Sequence, residues 1–255
     1  MIKLEIENVF LKEVDSTQLQ AKREAKNFPA DKITCVVADD QTKGYGRHQR
    51  PWISPHGFEN LYCTFYFQLP LEIKNLTNIS ELLSYSIAEL LIKKDFFPQI
   101  KWPNDILLSQ KKLGGVLCET IFEKDKIQVF LGLGLNLNLP EEELLKIDQP
   151  ATSLSVESQK KWDRNIFLKE LESRFLKNLK LFFQQGFASF AIKIEKILAH
   201  KNETITFYDG QNKYEGQIIA IKSDGALSFK LKATGEIKTF LSGDLLSSKK
   251  IEPKK

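Results

Sequence analysis

Apolar and polar positions along the chain fall into periods that change several times, and each change predicts an element. Residues 1–12 alternate like a short strand, Asp15-Ser16-Thr17 can cap a helix, and residues 18–26 are rich in helix formers. A strand-to-helix turn there would point its N–H groups at a ligand. Residues 33–38 read as a buried strand and 61–67 as an aromatic, β-rich one, whereas 39–60 show little periodicity and predict a long loop. Loops of that length are usually functional or mobile. Ile79, Leu82, Leu83, Ile87, Leu90 and Leu91 recur at helical spacing. Residues 106–109 and 116–122 read as strands joined by a hairpin around Gln110-Lys111, and 127–139 as another strand. Phe167, Leu168, Leu171, Phe175, Leu179, Phe182 and Phe183 form the apolar stripe of a long helix ended by Gly186, and 187–198 predict a second.

From Glu203 onward the texture changes to short alternating runs broken by Asp209-Gly210, Asp224-Gly225 and Thr234-Gly235, which predict a small all-β module. The whole therefore predicts an α+β chain. Residues 1–200 would form a mixed, largely antiparallel sheet with flanking helices, and 201–255 a separate β domain with a basic tail at Lys249, Lys250, Lys254 and Lys255.

Composition narrows the function classes. With 255 residues, 42% of them hydrophobic, the chain can bury a sizeable core. A formal net charge of +4, from 37 basic and 33 acidic residues, is too small and dispersed to indicate a nucleic-acid partner. No stretch approaches the ~20 apolar residues of a membrane span, and the N-terminus lacks a signal-like apolar run. Cys35, Cys63 and Cys118 are far apart, and His48, His56 and His200 are isolated, so neither a zinc site nor a nucleophilic dyad is expected. These features predict a cytoplasmic protein with reduced thiols.

The chemistry concentrates in three places. Lys101-Trp102-Pro103-Asn104-Asp105 puts a lysine, an indole and an amide-carboxylate pair where a strand should end, since proline supplies no N–H and biases Trp102 to an extended conformation. Its polar groups are expected to face a cleft rather than the core. Lys112-Leu113-Gly114-Gly115 comes next, and upstream lies the stretch from Gln41 through Gly44, Tyr45, Gly46, Arg47 and Arg50 to Trp52. Cations beside glycines suit an anionic, phosphorylated ligand.

In their order along the chain, with Asp15-Ser16-Thr17-Gln18 before them and Gly132-Leu133-Gly134-Leu135-Asn136 after, these motifs resemble those of the biotin protein ligases. The resemblance implies the biotin/lipoate ligase catalytic fold with a C-terminal SH3-like barrel. It also implies an enzyme that forms biotinoyl-AMP from biotin and MgATP and transfers the biotinoyl group to a lysine of a biotin carboxyl carrier protein. Arg47 and Lys112 are then the expected catalytic groups. Ser16, Thr17, Gln18, Gln41, Gly44, Tyr45, Gly46 and Gly115 join them around biotin; Arg50, Trp52, Asn104, Asp105 and Asn136 are expected at ATP, with Asp105 holding Mg²⁺. A homodimer is possible within the family. Two positions depart from the family loop, Tyr45 for an arginine and Gln49 for a glycine, so Arg47 is expected to handle the phosphate alone. The alternatives are a lipoate or octanoate ligase or transferase, and a biotin-sensing DNA-binding repressor. The 12 residues before Glu13 are too few for a helix-turn-helix domain, so no specific nucleic acid is expected.

Overall fold

The computed structural model describes residues 3–73, 76 and 78–246, so the basic tail lies outside the described residues. Its first sheet has seven strands in the order β1 (Ile6–Val14), β2 (Ile33–Gln41), β3 (Leu61–Leu69), β7 (Ile127–Leu135), β6 (Lys111–Phe122), β5 (Asp105–Leu108) and β4 (Gln99–Lys101). The β1–β2 pair is parallel and every other neighbour antiparallel, which is the mixed sheet predicted. β3 and β7 lie at its centre, paired from Leu61↔Leu135 to Leu69↔Ile127. Both are buried almost throughout, because the sheet is covered on both faces.

The strand period of two sorts side chains between those faces. Cys35, Val37, Cys63, Phe65 and Phe67 enter the main core with α2 (Asn78–Ile92) and α5 (Arg164–Gln185). Val36, Tyr66 and Phe130 pack on the opposite face against Ala21 of α1 (Thr17–Glu24). α2 is buried on all sides and hydrogen-bonds α5 through Asn178 to Ser86 and Arg174 to Glu89. α5 buries the predicted stripe except Phe183, which is half-buried, and ends at Gly186, whose φ of 74° is one that glycine adopts without strain. The short helices α3 (Glu141–Leu144) and α4 (Leu154–Ser158) go beyond the sequence expectation, since one turn shows no period; α6 (Ala188–Lys196) succeeds α5.

Two boundaries differ from expectation in ways that matter for the site. β6 begins at Lys111 rather than 116, because the turn is made by Ser109 and Gln110 with φ of 49° and 61°. Lys112, Gly114 and Gly115 therefore lie inside a strand. β2 continues through Gln41, which shortens the loop and places that glutamine at the sheet's end.

The C-terminal strands β8 (Thr204–Tyr208), β9 (Lys213–Ile221), β10 (Leu227–Leu231), β11 (Ile237–Phe240) and β12 (Asp244–Leu246) form an antiparallel sheet in the order β11-β10-β9-β8-β12. Its buried side chains, among them Phe207, Ile218 and Phe229, are continuous with the main core. The seam corrects one expectation. Trp102 does not face a cleft: its indole is 2% exposed, lies 6.1 Å from the Phe207 ring and donates to the Gly225 carbonyl at 3.1 Å. An extended apolar ring next to a partner sheet buries more surface there than it would at a cleft. Asn78 of α2 reinforces the seam by donating to the Asp224 carbonyl and to Glu81. Gly225 has φ of 84°, and a Cβ there would come 2.6 Å from the Glu81 carboxylate. Burial raises the Glu81 pKa to about 8 against the opposing donors Asn78 and Trp102.

Candidate active site

The parallel pairing of β1 and β2 sets Val14 opposite Gln41 and so brings the start of α1 beside the end of β2. Ser16 caps α1 by accepting from the Gln18 N–H, and Asp15 accepts from the Ser16 N–H while pairing with Arg23. Thr17 donates from both N–H and hydroxyl to Gln41 Oε1, at 2.9 and 3.2 Å. Gln18 crosses over Gly132, where a Cβ would meet its Oε1 at 2.6 Å. It donates to the Phe130 carbonyl and to Glu119. Ser16, Thr17 and Gln18, all buried, thus form one neutral, polar rim with the half-buried Gln41.

The loop after Gln41 is not irregular throughout. Tyr45 bridges Pro51, Gly46 N–H donates to Arg50 O, and Trp52 N–H donates to Gly44 O, so residues 44–52 fold back on themselves. Neither Gly44 nor Gly46 has positive φ; the left-handed residues are His48 and Gln49, at 55° and 57°. Gly44 is required by close approach, since a Cβ would come 2.9 Å from Gln41 Nε2 and 3.1 Å from Trp52 O. Gln49 carries a conformation that glycine adopts without strain, which accounts for the glycine usual at that position.

This turn aims Arg47 and Arg50 at the second half of the site. Arg47 pairs with Asp244 at 3.1 Å, donates to the Gly243 carbonyl at 3.1 Å and reaches Asn104 Oδ1 at 3.4 Å. Arg50 and His48 approach the other Asp244 oxygen at 2.9 and 3.5 Å. Lys112 pairs with Asp105 at 2.8 Å, and the β5–β6 register holds both against Gly115, where a Cβ would meet Asp105 Oδ1 at 3.0 Å. Asn104 is mostly buried and donates to Val116 O, while Val116 N–H donates to Asn104 O, so the amide is locked in place. Trp52 lies against Gly134, where a Cβ would collide with its ring, and Lys112 Nζ is 5.6 Å from the ring centroid. Asn136 is buried, with its amide nitrogen on Thr152 O and its Oδ1 without a partner among the described residues.

Three site residues have roles that the sequence motifs do not reveal. Lys101 opens its motif with no role assigned by the resemblance. Register sets it opposite Asp105, burial lowers its pKa, and among the described residues its ammonium makes no ion pair. Asp244, far downstream, becomes the counter-ion of the arginines; no local pattern announces it. Glu119 on β6 accepts from Tyr45 and Gln18 and pairs with Lys22, so Tyr45 faces this carboxylate. In the cationic half, Arg47, Arg50, Lys101 and Lys112 face only Asp105 and Asp244 among the described residues, a surplus of positive charge suited to a phosphate chain.

No group of three or more His, Cys, Asp or Glu among the described residues could hold a metal by itself. Mg²⁺ is commonly held by one or two carboxylates that share the ion with substrate phosphates, and Asp105, the carboxylate beside Gly115, is paired with Lys112.

The sequence profile of the biotin/lipoate A/B protein ligase family matches residues 10–136. The chain is 30% identical over 211 residues to the bifunctional ligase/repressor BirA of Escherichia coli, covering 82% of this chain and 64% of that protein's length. It is 29% identical to BirA of Bacillus spizizenii, covering 91% of this chain and 71% of that protein. Among solved structures, the biotin protein ligase of Aquifex aeolicus in complex with biotin and ATP matches with a TM-score of 0.78 and 36% identity, over 94% of this chain and 97% of that one.

Proposed function

This chain belongs to the biotin/lipoate A/B protein ligase family, and from its site we propose that it is an ATP-dependent biotin protein ligase. The observation that carries the reading is the contact between two unlike half-sites. A neutral rim of Ser16, Thr17, Gln18 and Gln41 adjoins, across Gly44 and Trp52, a cationic half built on Arg47, Arg50, Lys101 and Lys112: a Cβ at Gly44 would meet both Gln41 and Trp52, and Lys112 Nζ lies 5.6 Å from the Trp52 ring centroid.

In the first step a biotin carboxylate oxygen bonds to the α-phosphorus of ATP and the bond to pyrophosphate breaks. Lys112 and Arg47 hold the two anionic groups together and stabilise the charge that builds on the phosphoryl oxygens. The trigger is local: Lys112 must exchange its Asp105 contact, and Arg47 its Asp244 contact, for ligand oxygens. Arg50 and Lys101 attract the departing pyrophosphate, Trp52 and Asn136 contact the adenosine, and Mg²⁺, when bound at Asp105, shields the triphosphate. In the second step the lysine amine of a carrier domain attacks the acyl carbon, AMP leaves and the amine loses a proton. Holding the mixed anhydride in place makes that attack effectively intramolecular on the enzyme side.

The acceptor in this reading is a biotin carboxyl carrier protein and the compartment is the cytoplasm; among the described residues no helix is long and apolar enough to cross a membrane. We assign residues 1–200 to a catalytic domain and 201–255 to an SH3-like domain. The polar rim favours a cyclic urea over the alkyl chain of octanoate. The test is exchange of labelled pyrophosphate into ATP with biotin or octanoate: biotin-dependent exchange supports the reading, exchange with octanoate alone moves the chain to the lipoate branch, and none with either refutes both.

A further inference from the structure

Resting on that reading, we infer that Glu119 and Tyr45 form a positioning pair that ties the acyl end of the site to the arginine loop. One carboxylate serves three elements. Its Oε2 accepts from Gln18 of α1 and from the Tyr45 hydroxyl of the loop, both at 2.9 Å, and its Oε1 pairs with Lys22 at 2.9 Å. Those donors hold the half-buried Glu119 below its ordinary carboxylate range despite desolvation, so it remains charged.

Tyr45 transmits this anchor. Its backbone bridges Pro51, and the flanking bonds from Gly46 N–H to Arg50 O and from Trp52 N–H to Gly44 O make one unit of the segment that carries Arg47, Arg50 and Trp52. The hydroxyl's bond to Glu119 pins that unit to β6. Gln18, whose Nε2 is shared between Glu119 and Phe130 O and whose Oε1 accepts from Thr64, lies in the rim that meets the acyl ring. Glu119 therefore stands between the group that recognises the acid and the loop that closes on its adenylate. The arginine usual at position 45 would place a cation here. Tyrosine adds no charge at the phosphates and holds the loop by a charge-assisted hydrogen bond.

The consequence is retention: the loop stays seated over the acyl-adenylate only while this bond holds. The test uses the full chain, charged with whichever of biotin or octanoate supports pyrophosphate exchange, and follows release of labelled acyl-adenylate. Tyr45→Phe removes one oxygen and leaves the ring, so folding is preserved and checked by melting. Release is expected to be roughly tenfold faster, in line with loss of a hydrogen bond to a charged group, with faster tryptic cleavage after Arg47. In the Glu119→Gln background, where an acceptor oxygen remains, Tyr45→Phe should still accelerate release; in Glu119→Ala it should add nothing. Equal release from native and Tyr45→Phe proteins, or additive effects of Tyr45→Phe and Glu119→Ala, would overturn the inference. Failure of the native chain to form an adenylate with either acid would instead overturn the functional reading and take this inference with it.

Discussion

Replacing Lys112 by Met deletes one ammonium while keeping an unbranched side chain of similar length. In the resting site that ammonium lies 2.8 Å from Asp105 Oδ1, with the two side chains 18% and 21% exposed. Two unit charges 4 Å apart interact by about 1 kcal/mol in water and about 4 kcal/mol at the effective dielectric of a protein surface. Partial exposure favours the lower figure, and Lys101, at the opposite register position, leaves Asp105 under the field of a second cation. A stability loss near ~1 kcal/mol corresponds to a fall in Tm of about 2–4 °C for a chain of this size. The reaction should suffer far more. A preorganised donor aimed at developing charge contributes roughly 2.7–4 kcal/mol, or about 10²–10³ in rate. Single-turnover formation of biotinoyl-AMP at saturating biotin and MgATP should therefore slow by about two to three orders of magnitude, with the melting point almost unchanged. A rate within fivefold of native would refute the assigned role. A raised KM for ATP with unaltered kcat would show instead that Lys112 binds ground and transition states equally.

Gly134→Ala would push a methyl into the Trp52 ring, so the indole must move; ATP affinity is expected to fall while biotin affinity holds, measured by titration calorimetry. Asp244→Asn removes the carboxylate that occupies Arg47 and Arg50, and inorganic pyrophosphate should bind roughly tenfold more tightly at low salt; equal affinity would mean the acid withdraws without cost. Glu81 gives a pH signature. Its folded pKa of about 8 lies above the ordinary 4.5, so the folded protein holds the proton more tightly than the unfolded chain and stability declines as pH rises between those values. The slope is at most about 1.4 kcal/mol per pH unit. Urea unfolding of Glu81→Gln should lack that decline, and parallel curves for the two proteins would exclude it.

Much of the fold is legible in the sequence because burial imposes a period. The stripe from Phe167 to Phe182 reads directly as the inner face of α5, and the turn pairs Asp209-Gly210 and Asp224-Gly225 mark out the C-terminal sheet. The misses have equally local causes. Glycines 114 and 115 weaken the strand signal of β6, although the narrow gap to Leu135 and Asp105 is what requires them. The polar neighbours of Trp102 suggest a cleft, whereas the sheet it packs against lies more than a hundred residues away.

By itself the sequence determined the residue types of the site, their order and the strands and turns that carry them, since backbone preference, apolar period and the placement of glycine act over a few residues. It brought Ser16, Gln41, Arg47, Asp105 and Lys112 to attention one motif at a time. Only the tertiary structure decided what each faces: that Asp244 neutralises the arginines, that Lys101 has no ion partner among the described residues, and that Tyr45 bonds Glu119. Electrostatic partnership depends on distance through space and on what has been removed from water, and neither is encoded in separation along the chain.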